Sequence, residues 1–176
     1  MRLSETLDLP TDARAAARLL ADPEYVHDKV RATGALEQHV DVTGSADGAF
    51  TVTTRRALPT EQIPSHLRSF VGNRIDVRQV EAWEAPGADG ARVGTVVVEI
   101  AGAPVRLSGR TSLTPTADGS TVVAYDGDLR ASVPLFGSAI EQATAGAVRS
   151  ALTVEQDVAR RWIAGHADGH SETPQP

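Results

Sequence analysis

Residues 134–164 read PLFGSAIEQATAGAVRSALTVEQDVARRWIA. Stepped at about 100° per residue, Ile140, Ala143, Ala147, Ala151, Val154, Val158 and Trp162 share one arc, flanked by Val148, Leu152 and Ala159. Gln142, Ala145, Arg149, Thr153, Gln156 and Arg160 fall opposite. This is the pattern of a long amphipathic helix with one face on a core. Along the arc, small side chains (Ala143, Thr144, Gly146, Ala147, Ala151) give way to larger ones (Val154, Val158, Trp162). Small residues facing a concave sheet leave room, whereas large ones fill it. The stretch therefore predicts a cavity beneath Ala143, Thr144, Ala147 and Ala151. Close packing of helix on sheet is the other use the same alanines allow.

What precedes the helix supplies the sheet. Arg2 to Leu9 alternates, with Leu3, Leu7 and Leu9 on one face and Glu5 among them. Thr11 is placed to cap a helix through Ala13, Ala17 and Leu20. Asp22-Pro23 starts a second helix as N-cap and first position, and Gly34 closes it. Strand-like runs follow at Leu36–Val42, Phe50–Leu58, Ile75–Trp83, Val93–Ile100, Val105–Leu113 and Thr121–Val133. Turn signals at Ala46-Asp47-Gly48, Ala85 to Gly90, Ala101-Gly102 and Asp118-Gly119 separate most of them. Seven strands joined mainly by short turns are antiparallel neighbours. The expected fold is α+β: a curved antiparallel sheet wrapped around a long C-terminal helix, with two short helices after the first strand. Between Ala57 and Gly72 the alternation breaks at Pro59 and Pro64; residues 64–71 suit a short helix, and Pro59 to Gly72 suits a lid over the cavity mouth. Residues 1–166 read as one domain and 167–176 as a disordered polar tail.

Composition bounds the function. A chain of 176 residues, 41% hydrophobic, is long enough for a real core and has no run of membrane-spanning length. Acidic residues interrupt the N-terminus before a signal-peptide h-region could form. Zero cysteines exclude disulfides, thiolate nucleophiles and cysteine metal sites. The expected compartment is the cytoplasm. A net charge of −6 with no basic block argues against nucleic acid as a partner. Sixteen of the seventeen basic residues are arginine, with Lys29 the single lysine, the mark of a GC-rich bacterial genome.

The layout resembles the helix-grip superfamily called SRPBCC, which includes START domains, birch-pollen-allergen proteins and polyketide cyclases. The resemblance covers about residues 1–166. It rests on Leu58-Pro59 with Ile63-Pro64, Val80-Glu81-Ala82-Trp83, Val133-Pro134-Leu135-Phe136-Gly137 leading to Glu141, and Glu155 with Arg161-Trp162-Ile163. Those stretches are most similar to an actinobacterial family within it, domain-of-unknown-function family 2505. The resemblance implies a fold and a tendency to hold apolar ligands between sheet and helix. It carries over no catalytic residue.

Glu155 is the sharpest oddity: a carboxylate inside the apolar arc, between Ala151, Leu152, Val158 and Ala159. Buried, it needs a partner or a proton. It is either a general acid or base or a structural carboxylate, and a structural role is the expectation, with Arg14 and Arg18 as charge partners. Arg56 shares a strand face with Phe50, Val52 and Thr54, while Arg55 points the other way. Turned inward, Arg56 would anchor a ligand carboxylate or phosphate; at a strand end it would instead snorkel to water. Tyr125 and Gln38 lie on inward faces and could bond a ligand or simply satisfy themselves. No catalytic set, metal-ligand spacing, P-loop, GxSxG or GxGxxG is present, so neither a cofactor nor a metal is expected.

The leading reading is a non-catalytic protein that holds a small apolar or lipid-like molecule, with Arg56, Tyr125, Gln38, Ala143, Thr144, Ala147 and Ala151 lining its cavity. A cyclase or dehydratase using the same cavity is the enzymatic alternative. A protein-interaction module of the chaperone-activator type is the third.

Overall fold

The structure is a computed structural model describing residues 1–60 and 74–167. In chain order it contains β1 (Arg2–Leu9), α1 (Ala13–Leu20), α2 (Pro23–Ala32), β2 (Glu37–Gly44), β3 (Phe50–Pro59) and β4 (Arg74–Trp83). These are followed by β5 (Arg92–Ile100), β6 (Val105–Pro115), β7 (Thr121–Ala131) and α3 (Gly137–Ala167). The strands form one sheet in the order β1-β7-β6-β5-β4-β3-β2, antiparallel at every pair. The α+β arrangement read from the sequence is the one observed. The short helix expected over residues 64–71 lies outside the described residues, as do all of the expected lid 59–72 except Pro59 and Thr60 and all of the expected tail 167–176 except Ala167, which ends α3.

Local chemistry explains the element ends. Asp22 caps α2 by accepting from the backbone N–H groups of Glu24 and Tyr25, with Pro23 in the first turn. In α1 the cap is Asp12 rather than Thr11, because the Asp12 carboxylate accepts from the N–H groups of Arg14 and Ala15 at 2.9 Å each. β7 stops at Ala131, short of Val133, and α3 begins at Gly137 rather than Pro134. Residues 133–137 form a turn, with the Gly137 N–H donating to Val133 O at 2.8 Å and Leu135 at φ 66°. Glu141 then reaches back from the first turns of α3 to accept from the Ala131 N–H at 3.1 Å, which fixes the helix to the strand it leaves.

Midway along the sheet, Gly109 of β6 faces Gly127 of β7. A Cβ on Gly109 would lie 2.3 Å from Asp126 O, and one on Gly127 2.7 Å from Ser108 O. The two backbones approach too closely for any side chain there. The pair lies beside the cavity, and Gly127 lines it.

Two apolar clusters flank the centre of the molecule. The larger joins Leu7, Leu9, Leu20, Tyr25, Val26, Phe50, Trp83, Leu113, Val123 and Val158. The smaller joins Leu3, Val105, Leu107, Leu129 and Ala145. On α3 the buried stripe is Ala145, Glu155, Val158 and Ala159, with Val148, Ala151 and Leu152 half-buried. Ala143 and Ala147 are exposed, so the inward face is rotated about a quarter turn from the arc read off the sequence. An alanine contributes a single methyl and does little to set helix phase. The phase follows instead from bonds the helix makes: Arg149 with Glu5 at 2.6 Å, Glu155 with Lys29 at 2.7 Å, and Trp162 Nε1 donating to Asp28 at 3.1 Å.

Candidate functional site

Between the concave sheet face and the middle of α3 lies a cavity with a free volume of about 90 Å³. One wall is apolar: Leu3, Val96, Val98, Leu107, Val148, Ala151 and Leu152. The other carries Lys29, Thr54, Arg56, Gln79, Glu81, Tyr125 and Glu155, and Glu5 and Asp126, each paired with an exposed arginine, also belong to the lining. Strand alternation builds this polar wall. On β3 it turns Val52, Thr54 and Arg56 inward, and on β4 Gln79, Glu81 and Trp83. Register then sets Thr54 beside Gln79 and Val52 beside Glu81. Tyr125 comes from β7, Glu155 from α3, and Lys29 from the face of α2 that also buries Tyr25, Val26 and Val30.

The polar wall is one connected network. Lys29 Nζ donates to Glu155 Oε1 at 2.7 Å and lies 4.0 Å from Glu81 Oε1. The Tyr25 hydroxyl donates to Glu155 Oε1 at 3.4 Å. Glu81 accepts from Gln79 Nε2 at 2.7 Å and from the Tyr125 hydroxyl at 3.4 Å. Gln79 Oε1 in turn accepts from Nη1 and Nη2 of Arg56, at 3.2 Å each, and Nη1 also donates to Thr54 Oγ1 at 3.3 Å. Arg56 Nε is buried and has no hydrogen-bond partner among the described residues. Lys29, Glu81 and Glu155 are 7%, 3% and 8% exposed. Charges this deep persist only when paired and hydrogen-bonded.

The surroundings shift these groups as their contacts require. Burial pulls the Lys29 ammonium down, but the carboxylates of Glu155 and Glu81 outweigh it and hold it above the ordinary lysine value. Burial lowers the Arg56 guanidinium, and the same carboxylates only partly offset that. Both tyrosines are raised, first by burial and then by the adjacent Glu155 and Glu81, so their hydroxyls are held as donors.

Of the residues singled out in the sequence, Arg56, Tyr125 and Ala151 line the cavity. Ala143 and Ala147 do not: both are exposed on the outer side of α3. Thr144 is half-buried but is not part of the lining. Gln38 is also outside the lining, its Nε2 lying 3.1 Å from His27 Nδ1. Glu155 is buried and bonded to the first helices, but its partner is Lys29 of α2, whereas Arg14 and Arg18 are exposed on α1. Sequence reasoning missed Lys29, Glu81, Gln79 and Tyr25. A signal for Lys29 exists, since it lies four residues after Tyr25 and three after Val26 on the buried stripe of α2. Among the described residues no group of three or more acidic or histidine side chains could hold a metal, and no helix is long and apolar enough to cross a membrane.

An antiparallel sheet closed over a long C-terminal helix, with a cavity between them, is the helix-grip fold. Residues 4–163 match the family model described as "Protein of unknown function (DUF2505)", and the chain belongs to that family. Solved structures agree on the fold. The Thermus thermophilus protein TTHA0849 superposes with a TM-score of 0.60 at 14% identity, over 92% of this chain and 98% of that one. Human STARD10 gives 0.58 at 11% identity, over 99% of this chain and 73% of that one. The Zhui aromatase/cyclase from Streptomyces sp. R1128 gives 0.55 at 13%, over 90% of each. No curated protein sequence matches the chain.

Proposed function

We propose that this protein binds a small molecule, mainly apolar and with one polar end, in the cavity between the sheet and α3, without transforming it. The observation that carries the reading is the cavity's division into an aliphatic wall and a hydrogen-bonding wall. Such a division orients a ligand as well as burying it. The kinship with START-like folds supports the same reading by analogy. The volume argues for a compact ligand. About 90 Å³ is well below the roughly 300–1,000 Å³ of pockets for drug-sized ligands. A long acyl chain would need sheet and helix to part. A composition free of cysteine suits the cytoplasm, the proposed compartment.

The test is titration with a small fluorescent apolar probe, on the protein itself and on an Ala151→Phe variant that fills the cavity. Saturable binding that the variant loses, with its fold intact by circular dichroism, supports the reading. Equal binding by both, or none by either, contradicts it.

A cyclase or dehydratase is the second reading. The observation in its favour is the Tyr125 hydroxyl beside Glu81 on the cavity wall, a pair able to exchange a proton with a bound substrate. Recovery of the natural bound molecule unchanged after prolonged incubation favours binding; its conversion favours the enzyme.

A further inference from the structure

Six charged residues line the cavity, and two of the acids, Glu5 and Asp126, are paired with the exposed Arg149 and Arg2; the remaining four balance, Lys29 and Arg56 against Glu81 and Glu155. Within that balance Arg56 stands apart. Lys29 contacts Glu155 directly, and Glu81 holds Gln79 and Tyr125 with Lys29 at 4.0 Å. Among the described residues, every bond Arg56 makes goes instead to an uncharged acceptor, Gln79 or Thr54. A guanidinium carries five N–H groups. Three are used, which leaves Nε–H and one N–H on Nη2 without an acceptor among the described residues. Burying a donor unmet is costly.

Two kinds of acceptor would meet that need, and the charge balance separates them. A carboxylate would bring a third negative charge beside Glu81 and Glu155 in a poorly solvated space, where like charges repel strongly. A neutral oxygen would satisfy the donors and leave the balance untouched. Arg56 already makes such a contact on its other side, where Nη1 and Nη2 share the single amide oxygen of Gln79. A carbonyl oxygen also brings no donor of its own that would need a partner, unlike a hydroxyl.

We propose that Arg56 is the recognition residue for a neutral carbonyl compound. Its guanidinium donates to the ligand's carbonyl oxygen, while the hydrocarbon part lies against Val98, Leu107, Val148 and Leu152. The ligand class is thus a small ketone, aldehyde, ester or amide rather than a free acid. The proposal rests on the cavity-binding reading and specifies it.

Three probes of nearly equal shape test it: 2-pentanone, butanoate and pentane, titrated at neutral pH and followed by ¹⁵N–¹H NMR, including the Arg56 Nε–Hε resonance. The expected result is that 2-pentanone binds about tenfold or more tightly than either other probe, as one hydrogen bond to a charged donor implies. The Nε–Hε signal should move with the ketone and stay in place with pentane. Arg56→Lys keeps the charge but lacks the fork, and should bring 2-pentanone to within about twofold of pentane. If that variant does not fold, the Nε–Hε signal of the unaltered protein decides. Butanoate binding as tightly as the ketone overturns the neutral-ligand claim, as does a ketone complex that leaves Nε–Hε unmoved. Pentane binding equal to the ketone overturns the role of Arg56 but leaves the cavity-binding reading standing. Binding of none of the three overturns both.

Discussion

Lys29 Nζ lies 2.7 Å from Glu155 Oε1, so the single lysine of the chain is spent on a buried ion pair that ties α2 to α3 across the end of the cavity. The pair accounts for a carboxylate on the inward face of a helix. It also makes Glu155 a positioning residue before it is anything else, because the same oxygen takes the Tyr25 hydroxyl.

The two partners of this pair should not be equivalent on mutation. Lys29→Met removes the only cation among the described residues paired directly with Glu155 and Glu81, leaving Arg56 as the one positive charge of the wall against both, and should cost about 3–5 kcal/mol. Glu155→Gln leaves Lys29 with Glu81 4.0 Å away and should cost roughly 2 kcal/mol. In thermal melts that is a drop of about 4–8 °C for Glu155→Gln, and more for Lys29→Met. Lys29→Met combined with Glu155→Leu should recover much of the loss, since an apolar pair can replace a buried ionic one. A double variant less stable than Lys29→Met alone would contradict this account.

Alkaline pH should act through the same network. The folded-state values of Lys29, Tyr25 and Tyr125 lie above their ordinary 10.5, 10.0 and 10.0. Between the unfolded and folded values the native state binds more protons than the unfolded chain. Stability is therefore intact below about pH 10 and falls as pH rises past it. The chain has two tyrosines, both in this network. Tyrosinate absorbance should thus appear together with loss of circular dichroism, in one cooperative step. A normal tyrosine titration in folded protein would contradict the burial of these hydroxyls.

Much of the architecture is legible in the sequence because strand alternation has period two, so each inward residue fixes the next. Arg56 can be placed inward from Phe50, Val52 and Thr54 alone. Asp22-Pro23 likewise names a helix start outright. The cavity wall is harder to read. Lys29 and Glu81 sit at inward positions, but a lone charged residue on an apolar stripe is interpretable only with its partner. Glu155 lies 126 residues from Lys29 along the chain, and nothing local to either residue points to the other. The helix phase fails for another reason. In a stretch with alanine at 143, 145, 147 and 151, several arcs are nearly equal in apolar content, and the deciding bonds to Glu5, Lys29 and Asp28 are tertiary.

That phase can be tested with leucine, a good helix former in either environment. Ala147→Leu should leave both stability and probe binding within error, because residue 147 faces solvent. Ala151→Leu should weaken probe binding severalfold or more by occupying the cavity, at a cost of up to about 1–3 kcal/mol for overpacking. The reverse pattern would restore the arc first read from the sequence.

The two halves of α3 should differ in local stability. The C-terminal half carries Glu155, Val158, Ala159 and Trp162, which bond to α2 or pack into the larger apolar cluster. From Gly137 to Ala147, exposed small residues predominate. Hydrogen exchange should be markedly faster at residues 142–147 than at 155–162. Equal protection along the helix would show that its first half is as firmly seated as its second.

Native mass spectrometry of protein purified from its own source tests the central claim most directly. The account predicts a small-molecule adduct that disappears on denaturation, is absent from the Ala151→Phe variant, and is a neutral carbonyl compound when released. Protein at its bare mass under conditions that retain weak ligands, or an adduct that persists in Ala151→Phe, would contradict it.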